Sequence, residues 1–352
     1  MNTPNHLIIR PFHPDDAADQ YAIVTDPRVA VNLMQLPSME FAQTQKWAEE
    51  PKPGHHRLVA ELNGRLIGSI NIQQTLRPRL MHSGKLGLSV HPDYWGQGVG
   101  SVLMAAGLNL ADNWLNLLRL ELEVYTHNAP AIHLYEKFGF ATEGIKRKAV
   151  FGDGRYFDGQ IMARLRHPEW FVHQPALPET RPLKKPEPAH ATIRPPRYPD
   201  DLDGMYHTFR LPEVGRTTLQ MPSQEIGHTR DRLKDAPPGL YRYVAEVDGR
   251  VVGIATLHQS PNPRERHAAG LGMMVHPDYW GRGIGLQLLD ALMELADNWL
   301  QLTRVELEVN TDNPAAIRLY EKHGFMIEGT HKLHVYGDGR MADSHFMARL
   351  RS

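Results

Sequence analysis

Two glycine-rich hexapeptides carry the first chemical signal: Trp95-Gly96-Gln97-Gly98-Val99-Gly100 and, 185 residues later, Trp280-Gly281-Arg282-Gly283-Ile284-Gly285. Each follows an apolar run that reads as a strand and opens a stretch with helical spacing. Glycines let the backbone approach a ligand, and the unpaired N–H groups of a helix N-terminus attract negative charge, so this arrangement predicts a pyrophosphate site. A Rossmann loop would read G-x-G-x-x-G at the first strand–helix junction, with an acidic residue about 20 further on. Here the spacing is G-x-G-x-G, and the loop follows a run of hairpin strands. A Walker A loop needs Gly-Lys before Ser or Thr, which neither copy has. The bland alternative is a glycine-rich turn that binds nothing. It loses weight because the second loop keeps all three glycines while the helices behind the two loops differ freely.

A second group of polar residues lies downstream. Leu120, Leu122 and Val124 alternate with Glu121, Glu123 and Tyr125, which predicts a strand with two carboxylates on one face. Asn128 follows five residues after Glu123 and suits a helix cap, with Pro130 in the first turn and Gly139 as the stop. Tyr135 stands seven residues past the cap, in a row with Ile132 and Phe138 that reads equally as a buried face. Histidine is abundant, 20 of 352, but no His-Glu-x-x-His spacing occurs and only His331 and His334 sit three apart, so no metal site is expected. His82 and His267 each follow Pro-Arg-x-x; bordering a pocket and bracing a hairpin are both open readings for them.

The elements needed to hold these residues can be read from the same pattern. Leu7-Ile8-Ile9-Arg10 is a short first strand, followed by a polar, helical stretch broken near Pro37. Residues 58–62 and 66–73 are strands around Asn63-Gly64, a dipeptide suited to a tight hairpin, and 86–90 is another. Val99, Leu103, Ala106, Leu110 and Trp114 step by three and four along one helical face, as do Ile284, Leu288, Ala291, Leu295 and Trp299. Two last strands flank Gly152-Asp153-Gly154.

A long internal repeat organises the whole chain. At an offset of 185, residues 91–166 match 276–351 at 45 of 76 positions without a gap. The expected domains are 1–167 and 191–352, joined by a proline-rich, semi-rigid connector over 168–190. Each domain reads as α+β, with a mixed, mostly antiparallel sheet flanked by helices. Lys+Arg is 39 against Asp+Glu 40, so no positive excess exists to engage nucleic acid. Cysteine is absent, which excludes disulfides, zinc thiolates and a cysteine nucleophile. Neither a signal peptide nor an apolar run of about 20 residues is seen, so a cytoplasmic protein without a membrane partner is expected.

Taken together, Val90-His91-Pro92, the glycine loop, Leu122-Glu123-Val124 and the pattern Asn128-x-x-Ala131-x-x-x-Tyr135-x-x-x-Gly139-Phe140 resemble the GNAT superfamily of acetyl-CoA-dependent N-acetyltransferases. Glu143-Gly144, Asp158 and Met162-Ala163-Arg164 are similar to its bacterial L-amino-acid N-acetyltransferase branch. The resemblance covers nearly all of both halves. One departure stands out: the superfamily loop usually begins with Arg or Gln, where this chain has Trp95 and Trp280. Because phosphate contacts there come mainly from backbone N–H groups, binding is expected to survive.

The resemblance implies acetyl-CoA as cofactor and a set of roles in each half. Cofactor contacts fall to Leu88, Val90, Trp95, Gly96, Gln97, Gly98, Val99, Gly100, Ser101, Asn128 and Tyr135, and in the second half to Met273, Val275, Trp280, Gly281, Arg282, Gly283, Ile284, Gly285, Asn313 and Tyr320. Tyr135 and Tyr320 are the implied acids for the departing thiolate; free thiol and phenol titrate near ~8.5 and ~10, a nearly balanced transfer. Glu123 and Glu308 are the candidate bases, with Glu121 and Glu306 as alternates. The expected acceptor is a small primary amine, foremost the α-amino group of an L-amino acid, in a pocket built from Gln35-Leu36-Pro37, Gln220-Met221-Pro222 and the last hairpin. A protein N-terminus as acceptor and a non-catalytic acetyl-CoA-binding protein are the rivals. The two domains are expected to pack as an intrachain pseudo-dimer.

Overall fold

Turn chemistry sets the frame of each half. Asn63 and Gly64 both take positive φ, 52° and 78°, as do Asp248 and Gly249, Asp153 and Gly154, and Asp338 and Gly339. Two consecutive left-handed residues match the right-handed twist of flanking strands, which is why Asn-Gly and Asp-Gly close these hairpins. The chain, seen in a computed structural model, is described at residues 6–36, 38–167, 169, 187–221, 223, 225–234 and 236–351. It divides into two compact units, Met1–Val172 and His173–Ser352. The connector read over 168–190 lies outside the described residues, except for 169 and 187–190.

Unit 1 runs β1 (Ile8–Pro11), α1 (Ala17–Thr25), α2 (Pro27–Ala30), α3 (Phe41–Glu49), β2 (His55–Leu62), β3 (Arg65–Gln74), β4 (Ser83–Val90), α4 (Val99–Asn113), β5 (Arg119–Tyr125), α5 (Ala129–Lys137), β6 (Ala141–Gly152) and β7 (Arg155–Leu165). Its strands lie in the order β1-β2-β3-β4-β5-β7-β6, antiparallel throughout except for the parallel pair β4–β5. Unit 2 repeats the plan: β8 (Thr192–Arg194), α6 (Leu202–Phe209), α7 (Pro212–Thr217), α8 (Ile226–Lys234), β9 (Leu240–Val247), β10 (Arg250–Gln259), β11 (Ala268–Val275), α9 (Ile284–Asn298), β12 (Arg304–Asn310), α10 (Pro314–Lys322), β13 (Met326–Gly337) and β14 (Arg340–Leu350). The parallel pair there is β11–β12.

Apolar alternation fixes which face of each sheet is covered. Ile70, Ile72, Leu86, Leu120, Leu122 and Val124 pack under α4 through Val99, Leu103, Met104 and Ala111. Ile23 and Val29, from α1 and α2, cover Val59 and Leu66 on the opposite face. The α4 stripe therefore swings away from the row expected from sequence: Trp114 and Trp299 are 78% and 76% exposed at the helix ends.

Charge is buried where sequence reading placed none. Arg119, the first residue of β5, is fully buried; it donates to Glu143 at 2.8 and 2.6 Å and to Glu121 at 3.0 Å. Arg304 does the same with Glu328 and Glu306. Burial opposes the charge of both guanidiniums, but these carboxylates outweigh it and raise their pKa. The carbonyls of His82 and His267 accept from the N–H groups of Arg119 and Arg304, pinning the start of each parallel pair. No helix among the described residues is long and apolar enough to cross a membrane.

Candidate active site

The site begins where two parallel strands part. β4 and β5 pair only at residues 83–85 with 119–121, and beyond that the strands separate. β11 and β12 pair only at 268–270 with 304–306. The direction of the freed backbone groups follows from alternation. The N–H of His91 donates to the Ile67 carbonyl, so odd-numbered residues of β4 face β3, and the N–H groups of Leu88 and Val90 face the parting. His276 donates likewise to Val252, which turns Met273 and Val275 the same way. Leu88 and Val90 are half-buried, as are Met273 and Val275.

The glycine loop closes one end of this opening. Gly96 and Gly98 hold φ of 72° and 83°, Gly281 and Gly283 of 72° and 85°. Gly98 is the N-cap of α4 and Gly283 of α9, and neither helix has a side-chain cap. The first N–H groups of both helices are thus turned outward, without a competing side-chain acceptor. Gly100 has a different duty: a Cβ there would stand 3.2 Å from Leu134, and at Gly285 3.2 Å from Leu319, so both let the next helix approach closely.

The loop tryptophans have a structural explanation. Trp95 Nε1 donates to the Val90 carbonyl at 2.8 Å, and Trp280 Nε1 to that of Val275 at 2.7 Å. The indole satisfies the last strand carbonyl that faces the parting and leaves the N–H donors available. Gln97 Nε2 donates to the Asp93 carbonyl.

Tyr135 and Tyr320 are buried among the same apolar residues as Leu122 and Val124, or Leu307 and Val309. Among the described residues their hydroxyls make no hydrogen bond. Burial pushes both phenols up to about 12, which keeps the O–H protonated at neutral pH. The balanced transfer expected from free thiol and phenol is thereby tilted, and a departing sulfur in the same dry site would be raised too. Asn128 and Asn313 act as caps, accepting from Ala131 and Ala316 at 3.4 and 3.2 Å.

The four glutamates fall into two pairs with different surroundings. Glu121 and Glu306 are held by the buried arginines, and Lys85 adds a contact to Glu121 at 3.6 Å. Glu123 and Glu308 stand two residues beyond the last paired position, on the freed stretch of strand, and both are exposed. Glu123 lies over Gly159, where a Cβ would collide with its carboxylate. Glu308 instead lies 3.8 Å from His331 Nε2 and 3.9 Å from His334 Nδ1.

The surroundings of the two carboxylates differ. In unit 1, Tyr125, His127 and Phe157 form an aromatic group with Arg155 over the Phe157 ring. Burial and Arg155 hold the His127 imidazole below its usual value. The Tyr125 hydroxyl donates to the Leu33 carbonyl at 3.3 Å, close to Gln35 of the expected acceptor wall, and among the described residues the buried amide oxygens of Asn32 and Gln35 find no partner. Pro37 and Pro222 lie outside the described residues. In unit 2 the equivalent of Tyr125 is Asn310, which donates to the Arg216 carbonyl, while Arg340 pairs with Asp312.

Unit 2 also carries a strap. The Ala189 N–H donates to the Arg282 carbonyl at 2.9 Å, and Arg282 Nε to the Glu187 carbonyl at 3.1 Å. Gln287 accepts from the Ala191 N–H at 3.0 Å and donates to the Ala189 carbonyl at 2.9 Å. Its counterpart Val102 can do neither.

The chemistry available is that of a V-shaped slot with backbone donors along one wall, an anion cradle at one end, a neutral phenol on one face and a carboxylate on the other. These features fit a thioester carrier with a diphosphate. The Acetyltransferase (GNAT) family model matches residues 27–140 and 204–325. The L-amino acid N-acetyltransferase AaaT of Escherichia coli (strain K12) is 38% identical over 151 residues, 43% of this chain and 93% of that protein. The N-alpha-acetyltransferase RimI of Mycobacterium tuberculosis is 39% identical over 97 residues, 28% of this chain and 56% of that protein. Among solved structures, the GNAT-family acetyltransferase of Streptococcus pneumoniae is 30% identical with a TM-score of 0.41, covering 46% of this chain and all of that one.

Proposed function

The chain belongs to the GNAT family of acetyltransferases, and from that premise we propose that each half transfers acetyl from acetyl-CoA to the α-amino group of an L-amino acid or a close analogue. Acetyl-CoA, when bound, supplies an activated acetyl thioester. The observation that carries the reading is the parting of β4 from β5, with the N–H groups of Leu88 and Val90 turned into it and the glycine loop at its end. The loop N–H groups hold the diphosphate, and the two strand N–H groups polarise the thioester carbonyl, where negative charge develops. Glu123 or Glu308 removes a proton from the incoming ammonium, directly or through water. Tyr135 or Tyr320 delivers its hydroxyl proton to the sulfur.

The amino-acid acceptor is supported by the 38% identity to an L-amino acid N-acetyltransferase across nearly all of that enzyme. Near-neutral net charge weighs against polycationic acceptors, which need an acidic cleft. A peptide amino terminus is the second reading, favoured by the likeness to an N-alpha-acetyltransferase. Because Tyr135, Glu123 and the loop glycines all have partners in the second half, two working sites are favoured over a sensor. Thiol release from acetyl-CoA, assayed against the twenty L-amino acids and short peptides, tests the reading. The expected result is turnover with a subset of free amino acids; turnover with peptides alone selects the second reading, and none with any amine overturns both.

A further inference from the structure

The second unit holds, beside Glu308, two buried histidines that have no equivalent in the first. His331 and His334 are 5% and 7% exposed, and their rings lie 4.8 Å apart. At the matching positions unit 1 has Lys146 and Ala149, and Gly159 stands where unit 2 has Ser344.

A spacing of three would put the two histidines on opposite faces of a regular strand. The register of β13 against β14 breaks between His331 and Val335, so that residues 332–334 face the single residue 343. Leu333 takes φ +49° at this bulge, and its N–H donates to Asp343 Oδ1 at 2.9 Å. The extra residues turn His334 back onto the face of His331. Glu308 pairs across β12–β14 with Phe346, and His331 across β13–β14 with Ser344, so all of these side chains share one face. His331 packs on Phe346 at 4.8 Å, and His334 Nδ1 bonds Ser344 Oγ at 2.5 Å.

The other charged groups nearby are already matched. Lys332 pairs with Asp343, Arg216 with Asp338, Arg340 with Asp312, and Arg304 with Glu306 and Glu328. His345 bonds Thr330. The carboxylate facing the histidine pair is Glu308, at ion-pair distance from both rings and itself 53% exposed toward solvent. A separation of 3.8–3.9 Å is closed by a small side-chain rotation or one bridging water. Among the described residues no group of three or more acidic or histidine side chains is arranged to hold a metal ion, so the cluster is read for proton chemistry.

We propose that in the second unit Glu308 passes the proton taken from the acceptor ammonium to His331 and His334, which makes them positioning and proton-holding residues for that site alone; this rests on the acetyltransferase reading above. An imidazole is intrinsically a stronger base than a carboxylate, so a ring behind Glu308 that takes the proton on draws its transfer from the ammonium forward. The proton balance is complete. The ammonium gives one proton to the cluster and its lone pair forms the C–N bond. As the C–S bond breaks, Tyr320 protonates the sulfur and regains a proton from the new amide nitrogen. The cluster returns its proton to water, for a net release of one.

The test uses the full chain with one site silenced at a time. With Tyr135→Phe, turnover reports the second unit; with Tyr320→Phe, the first. The acid limb of the kcat profile is expected at higher pH for the second unit. Adding His331→Gln and His334→Gln to the Tyr135→Phe protein should lower kcat at pH 7 by about 10–100-fold and move that limb, with the acetyl-CoA KM within about twofold. Superimposable profiles would overturn the proposal. Imidazole NMR titrations of the otherwise unaltered chain give a readout independent of turnover and of these buried substitutions. Both curves are expected to move to lower pH with Glu308→Gln, and unmoved curves likewise overturn the coupling. Silence of both single-site proteins toward every amine, with the NMR coupling intact, overturns the acetyl-transfer reading and the role of the pair with it.

Discussion

Glu123 and Tyr135 stand on opposite faces of the same sheet. Tyr135 packs with Leu122 and Val124, whereas Glu123, between those two residues on β5, projects from the other side. Glu308 and Tyr320 repeat the relationship around Leu307 and Val309. The proposed base and the proposed acid, separated by the strand from which β4 has parted, suit a reaction in which carrier and acceptor enter from different sides and meet in the slot. The proposed roles lead to the following expectations.

Loss of the phenol hydroxyl should be felt in turnover and hardly in binding. Tyr135→Phe with Tyr320→Phe is expected to reduce kcat by about 10²–10⁴-fold. Each single substitution should leave the other site's contribution. Thiol-release kinetics beside calorimetric acetyl-CoA affinity check this, and an unchanged rate in the double variant would remove the acid assignment.

Two cradles imply two molecules of acetyl-CoA per chain. A branched side chain at φ near +84° costs about 1–2 kcal/mol, so Gly98→Val or Gly283→Val should weaken one site by about 5–30-fold. Isothermal titration should read a stoichiometry of two in the parent and two unequal classes in either variant. A single class with one equivalent in the parent contradicts the duplication of function.

The buried arginines should matter far more than their half-exposed neighbours. Arg119→Met strands Glu143, whose side chain is 7% exposed, and should cost about 3–5 kcal/mol. Arg164→Met breaks a bidentate pair with Asp112 in which both partners are over 20% exposed, and about 1 kcal/mol is expected. Denaturant midpoints of the two variants, compared at equal m-value, decide the order.

Acid sensitivity should set in late. Burial alone would raise the carboxyls of Asp16 and Asp201, but Arg10 and Arg194, with the N–H groups of His13 and Arg197, outweigh it and hold both below the ordinary carboxylate value. Between the folded and unfolded values the unfolded chain binds more protons. This contribution to stability is therefore full above about pH 4 and is lost as pH falls further. Asp201→Asn should be less stable at pH 7, yet lose less additional stability between pH 5 and 3 than the parent; equal slopes over that window would contradict it.

Much of this was legible in the sequence because the signals were local. Asn63-Gly64 named its own turn, Asn128 its own cap, and the glycine loop the opening of its own helix, and the repeat showed each of them twice. What was hidden depended on contacts between distant strands. An arginine at the start of a strand looks like a solvent-facing residue until Glu143, 24 residues on, is brought against it. That same contact explains Glu121, which by spacing alone was as good a base as Glu123. A spacing of three on a regular strand would separate His331 from His334, and only the bulge at Leu333 brings them together. Trp95 departed from the resemblance for a reason visible only once its indole was seen to reach the Val90 carbonyl.

The strap of residues 187–191 bears on how the two halves are best dissected. Scissors placed just before Ala191 would sever four of the five bonds that stitch this segment to Arg282 and Gln287, leaving only the one from the Ala191 N–H. An excised C-terminal fragment would thus carry an altered loop into any affinity measurement. The halves are better compared within one unbroken polypeptide, by muting each in turn.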